Sequence, residues 1–82
     1  MDKDQIFALV VRCTREVLPK LEDHEFDVRD SLQVLGANSL DRAEILIAVL
    51  ESMCLHIPRV ELFGPRNIGE LVEVLHAKMH RS

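Results

Sequence analysis

Apolar side chains recur at helical spacing in three stretches of this chain and lose all period between the first two. Ile6, Leu9, Val10, Cys13 and Val17 share one helical face, predicting a first helix from about Asp4 to Leu18. Asp2 or Asp4 can cap its start, and Pro19 stops it, having no N–H to donate and a ring that crowds the preceding turn. Residues 20–38 form a long connection in which Leu21, Phe26, Val28, Leu32 and Leu35 are scattered without period. A loop of that length is either functional or packed on its own side chains. These five are expected to pin it onto the helices while the charged residues between them face water.

A second helix is predicted from Ser39 to about Met53. At about 100° per residue, its apolar positions spread over an arc of roughly 220°. Leu46, Val49, Leu50 and Met53 lie near the middle and are expected in the core. Leu40 and Ile47 lie at one edge beside Glu44 and Glu51. Greasy positions flanked by acids suit a transient docking face, with charge for encounter and apolar contact for fit. Beyond it, Ile57-Pro58-Arg59-Val60-Glu61-Leu62-Phe63-Gly64-Pro65 reads as a short helix, with proline in its first turn and glycine past its end. A last helix follows: Asn67 with Glu70 has capping-box spacing, and Ile68, Leu71, Val72, Leu75 and Met79 form its stripe. The expected fold is all-α, a small four-helix bundle of three main helices and one short one. No stretch alternates as a strand and no repeat is visible.

Eighty-two residues fit a single domain, expected over 1–82, and 48% hydrophobic content places it among globular chains. With no Trp or Tyr and three Phe, the core must be mainly aliphatic, and stacking surfaces for single-stranded nucleic acid are scarce. Cys13 and Cys54 both fall in apolar helical runs and read as buried thiols; nothing requires a disulfide. Met1-Asp2-Lys3-Asp4 is too polar for a secretory signal, and no apolar run is long enough to span a bilayer, so the cytoplasm is the expected location, away from membranes.

Charge narrows the partners. The net charge is −4, but residues 20–51 hold eight acids against three bases, a local −5. Basic protein surfaces are therefore expected as partners, and nucleic acid is disfavoured. A helix-turn-helix reading with Ser39–Met53 as recognition helix founders on those acids beside a single Arg42. Catalysis is not expected, since no nucleophile triad, phosphate loop or cluster of metal ligands is present. His76 and His80 stand at i, i+4 with no third ligand, which suits a helix C-terminus better than a metal. His24 and His56 read as loop residues.

What stands out is Gly36-Ala37-Asn38-Ser39-Leu40-Asp41-Arg42-Ala43-Glu44. A glycine turn, a capping pair and an amphipathic run put one serine hydroxyl at a helix start, where free N–H groups and the dipole favour a phosphate. The plainer reading, with Asn38 or Ser39 merely capping the helix, covers the same residues.

Asp30-Ser31-Leu32-Gln33-Val34-Leu35-Gly36-Ala37-Asn38-Ser39-Leu40, followed by Ala43-Glu44, resembles the acyl carrier proteins. The resemblance extends over nearly the whole chain, including Ile57-Pro58 and Asn67-Ile68-Gly69-Glu70-Leu71. It implies that Ser39 receives 4′-phosphopantetheine from coenzyme A through a phosphopantetheinyl transferase, and that the arm's thiol carries acyl groups as thioesters. The family's Asp-Ser-Leu is spelled literally at Asp30-Ser31-Leu32, but Ser31 precedes only a short apolar segment, whereas Ser39 opens the long helix. Asn38 departs from the family's usual aspartate: it keeps the cap and loses a charge where the transferase and its Mg²⁺ work.

Running as one domain from its own Met1, the chain reads as a discrete carrier. Ser39-Leu40-Asp41-Arg42-Ala43-Glu44-Ile45 and Ile57-Pro58-Arg59-Val60-Glu61-Leu62 are similar to the free-standing carriers of polyketide β-branching cassettes. That similarity implies an acyltransferase, a decarboxylating ketosynthase and a hydroxymethylglutaryl-CoA-synthase-like enzyme as partners, with the carrier monomeric and delivering acetyl made from malonyl. By the same resemblance Leu40, Asp41, Arg42, Glu44, Ile47 and Glu51 are docking candidates. The alternatives are a fatty-acid or polyketide elongation carrier and, in another class, a helical module that binds a partner non-covalently through Leu40 and Ile47.

Overall fold

The computed structural model describes residues 1–79. Three helices run in the order α1 (Lys3–Val17), α2 (Ser39–Met53) and α3 (Ile68–Met79), with 3₁₀ turns at Pro19–Leu21 and Arg59–Leu62. No strand occurs among the described residues. The expected all-α class and the bounds of α2 hold; α1 begins and ends one residue earlier than its apolar period suggests. The short helix expected over 57–65 is a single four-residue 3₁₀ turn, because Pro58 and Gly64-Pro65 leave no room for a second turn.

Each main helix starts on a side-chain cap. Asp2 Oδ1 accepts from Gln5 N at 2.8 Å and Gln5 Oε1 accepts from Asp2 N at 3.0 Å, closing a full capping box on α1. At α3, Asn67 Oδ1 accepts from Glu70 N at 2.8 Å, but Glu70 reaches one residue further back than expected, to Arg66 N at 3.1 Å. The end of α2 is a Schellman turn: Cys54 is left-handed (φ 55°, ψ 38°), its N–H donates to Glu51 O at 3.2 Å, and Leu55 N donates to Leu50 O at 3.0 Å. That turn corrects the expectation of two buried thiols. Cys13 is buried in α1, whereas Cys54 is rotated out to solvent, and both are free.

α1 is the hub, packing against both α2 and α3, while the second 3₁₀ turn packs on α2. The core is aliphatic: Ile6, Val10, Ile45, Val49, Ile68 and Leu75 are almost wholly buried. In α2 the fully buried positions are Ile45, Leu46, Val49 and Leu50, with Met53 only half-buried at the helix end. Thr14 is buried on the core face of α1, its hydroxyl donating to Val10 O at 2.7 Å. The long loop is tied down by Leu21, which is buried, and by Phe26, Leu32 and Leu35, which pack partly on the core. Val28 differs from the expectation: its side chain is half exposed, and its backbone does the pinning. Gly69 N donates to Val28 O at 2.7 Å and Ile68 N to Asp30 O at 2.9 Å, fastening the loop to the start of α3. A Cβ on residue 69 would meet Val28 O at 3.0 Å, so glycine permits this close approach.

Candidate functional site

The loop delivers the chain to α2 through a tight turn. Leu35 N donates to Ser31 O, Gly36 N to Gln33 O and Ala37 N to Leu32 O, and Gly36 adopts φ 107°, which a side chain disfavours. Ala37 is then buried and anchors the entry, so the next two residues emerge at the surface. Asn38 is the N-cap: its Oδ1 accepts from Asp41 N at 2.8 Å and its own N–H donates to Asp41 Oδ2 at 3.2 Å. Ser39 is the first helical residue and exposed. Its Oγ accepts a long hydrogen bond of 3.4 Å from Arg42 Nη2, one turn ahead. Ser31 stands differently. It is half-buried, its hydroxyl accepts from Val34 N at 3.4 Å, and it starts the turn rather than a helix.

Of the docking candidates, Leu40, Glu44, Ile47 and Glu51 recur at i, i+4, i+7 and i+11 and all are exposed, Leu40 by 70% and Ile47 by 38%. They form one strip along α2. Asp41 and Arg42 stand apart from it. Asp41 is half-buried with its carboxylate engaged in the cap, and Arg42 is half-buried about 160° around the helix from Leu40. Its contact with Ser39 and its side-chain burial are features that the apolar pattern alone did not flag, although the i, i+3 spacing of the pair carries the signal.

Beside Arg42 lies a cavity of about 240 Å³ between α2, the second 3₁₀ turn and α3, lined by Leu46, Leu62, Phe63, Ile68 and Leu71 among others. The loop that borders it is held by a polar cluster. Asp30 Oδ2 accepts from Asp27 N at 2.9 Å and lies 3.0 Å from His24 Nε2, and the amide N–H and the His24 partner hold the Asp30 carboxyl below its usual range. The His24 ring meets Phe26 edge-on, and Arg15 stacks on Phe26 while donating to His24 O. Elsewhere, burial pushes the Cys13 thiol up, which keeps it unreactive. No group of three or more metal-ligating side chains forms among the described residues; His80, the second residue of the i, i+4 pair, lies outside them. No described helix is long and apolar enough to cross a membrane.

The chain is 53% identical over 79 residues to the polyketide biosynthesis acyl-carrier-protein AcpK of Bacillus subtilis (strain 168), spanning 96% of each protein. It belongs to the acyl carrier proteins. A solved structure agrees: the crystal structure of the curacin biosynthetic pathway HMG synthase in complex with its acetyl donor carrier contains a chain that matches with a TM-score of 0.91 and 46% identity. That match covers 95% of this carrier and all of the solved chain. No family model matches the sequence. An acyl carrier is a substrate-bearing partner of enzymes and not itself an enzyme. The family carries its cargo on phosphopantetheine, and the surroundings of Ser39 fit such a group. Ser39 is exposed, and the hydrogen bond its hydroxyl makes among the described residues is the weak one from Arg42.

Proposed function

We propose that Ser39 is the attachment residue for 4′-phosphopantetheine and that this carrier is the malonyl/acetyl donor of a polyketide β-branching system. An exposed serine hydroxyl at the first position of α2, in a chain 46% identical to an acetyl donor carrier, carries the reading. When attached, the arm supplies a thiol that holds acyl groups as thioesters. The rest of the work falls to this chain's own residues. Gly36 and buried Ala37 set the exit angle of the loop. Asn38 and Asp41 fix the first turn and satisfy each other's N–H groups, leaving the Ser39 and Leu40 N–H groups for an attached phosphate. Leu40, Glu44, Ile47 and Glu51 offer the docking strip, suited to a basic surface with an apolar centre. Its users are a phosphopantetheinyl transferase, an acyltransferase, a decarboxylating ketosynthase and a hydroxymethylglutaryl-CoA-synthase-like enzyme, met in the cytoplasm by a monomer that is one domain over residues 1–82.

Intact mass after incubation with coenzyme A and a broad-specificity transferase tests the attachment. Wild type and Ser31→Ala gain the arm and Ser39→Ala does not; a Ser39→Ala chain that still gains it refutes the assignment. Acetyl transfer from the loaded carrier to a hydroxymethylglutaryl-synthase homologue tests the donor role. Transfer instead to a chain-elongating ketosynthase would mark a fatty-acid or polyketide elongation carrier.

A further inference from the structure

Arg42 is the odd residue on α2. Counting at 100° per residue, it stands at the head of the stripe Arg42, Leu46, Val49, Met53, which faces the core. A guanidinium at such a position is always charged and carries five N–H donors. Three observations show those donors underused. Although residues 20–51 sum to −5, Arg42 forms no ion pair among the described residues. Its Nε is buried with no acceptor among the described residues. Its Nη2 makes only the long 3.4 Å bond to Ser39 Oγ. The nearby carboxylate of Asp41 is turned to the Asn38 N–H instead. A buried donor without an acceptor is a standing cost, so this arrangement persists either by accident or because another state of the molecule supplies the acceptor.

The guanidinium already touches the one oxygen that modification would change. A phosphodiester on Ser39 Oγ adds two non-bridging oxygens that share one negative charge, and the planar fork of arginine matches phosphate oxygens better than a lysine ammonium does. We infer that Arg42 is a positioning residue that clamps the phosphate of the arm on Ser39, trading its weak bond to the free hydroxyl for charge-assisted bonds to that phosphate. The inference rests on the reading that Ser39 bears the arm. Its consequence is that the arm is oriented at its root, on the Arg42 side of α2 and away from the Leu40–Glu51 strip that meets partners.

The test compares wild type with Arg42→Ala, Arg42→Gln and Arg42→Lys, each incubated with coenzyme A and a broad-specificity transferase and weighed intact. Two spectroscopic readouts follow: the ³¹P line width of the loaded proteins, and the Arg42 Nε–H resonance of wild type before and after loading. The expected result is a shift of that resonance on loading, a narrower ³¹P line in Arg42→Ala and Arg42→Gln as the phosphate gains freedom, and an intermediate line in Arg42→Lys. The wild-type line should also narrow at about 1 M salt, where the screening length falls to about 3 Å. Loaded wild type and Arg42→Gln with equal line widths overturn the clamp while leaving the attachment site standing. A wild-type mass that does not rise overturns the attachment reading and the clamp together. If Arg42→Ala fails to fold, as circular dichroism would show, the glutamine and lysine variants and the wild-type resonance still decide.

Discussion

Asn38 stands where the family usually has aspartate, and the geometry of the cap says what each replacement should do. The Asn38 side chain makes one good hydrogen bond, its Oδ1 accepting from Asp41 N at 2.8 Å, at an exposed helix start. Asn38→Ala removes that acceptor and leaves the Asp41 N–H to water, a loss of about 1 kcal/mol for a cap of this kind. In a domain of 82 residues each kcal/mol corresponds to about 4–8 °C of melting temperature, so a fall of that size is expected for the unmodified protein. Asn38→Asp keeps the acceptor and adds a charge. The helix dipole rewards an anion there by about 0.3–1 kcal/mol. The Asp41 carboxylate, which accepts from the residue 38 N–H at 3.2 Å, repels it. Between two solvent-exposed carboxylates a few ångströms apart, that repulsion is on the order of 1 kcal/mol. The two terms nearly cancel, so Asn38→Asp should melt close to wild type. If Ser39 bears the arm as proposed, the effect should appear instead in the rate of arm transfer, because the added charge lies next to the attachment residue. Thermal melts monitored by circular dichroism, paired with the time course of the mass gain, separate the two. An Asn38→Ala protein that melts with wild type, or an Asn38→Asp protein whose melting falls as far as that of Asn38→Ala, would refute the capping argument.

Three further outcomes follow from the fold. Cys54 is a non-glycine residue in the left-handed region, so Cys54→Gly should stabilise the domain by about 0.5–1 kcal/mol in urea titrations; in the native wild type a thiol reagent should label Cys54 and spare buried Cys13 until unfolding. Asp30 has a folded pKa below its unfolded value, so its contribution to stability is complete above about pH 4 and is lost as pH falls through the lower, folded value. Asp30→Asn should therefore flatten the acid side of the stability–pH profile, and an unchanged acid slope would show that the contacts with Asp27 N and His24 are not felt in solution.

Much of this carrier was legible in its sequence because helices are local. The period of Ile6, Leu9, Val10 and Cys13, the caps at Asp2, Asn38 and Asn67, and the stop at Pro19 involve residues within a turn or two of each other. The class, the three helices and the choice of Ser39 over Ser31 as candidate therefore needed no tertiary information. The strip Leu40, Glu44, Ile47 and Glu51 was likewise readable from spacing, since one helix surface is a matter of arithmetic. What the tertiary structure decided is what meets across elements. That Val28 holds α3 through its carbonyl and not its side chain follows from where the loop crosses Gly69. Cys54 is exposed because the chain turns left-handed there to pass from α2 toward the second 3₁₀ turn. Motif alone groups Arg42 with the docking acids, but the loop, the second 3₁₀ turn and the start of α3 border a cavity on its side of α2, where its Nε is buried. Periodicity says which residues share a face; only the neighbours that cover the face determine which side is buried, and so which charge is left facing the serine.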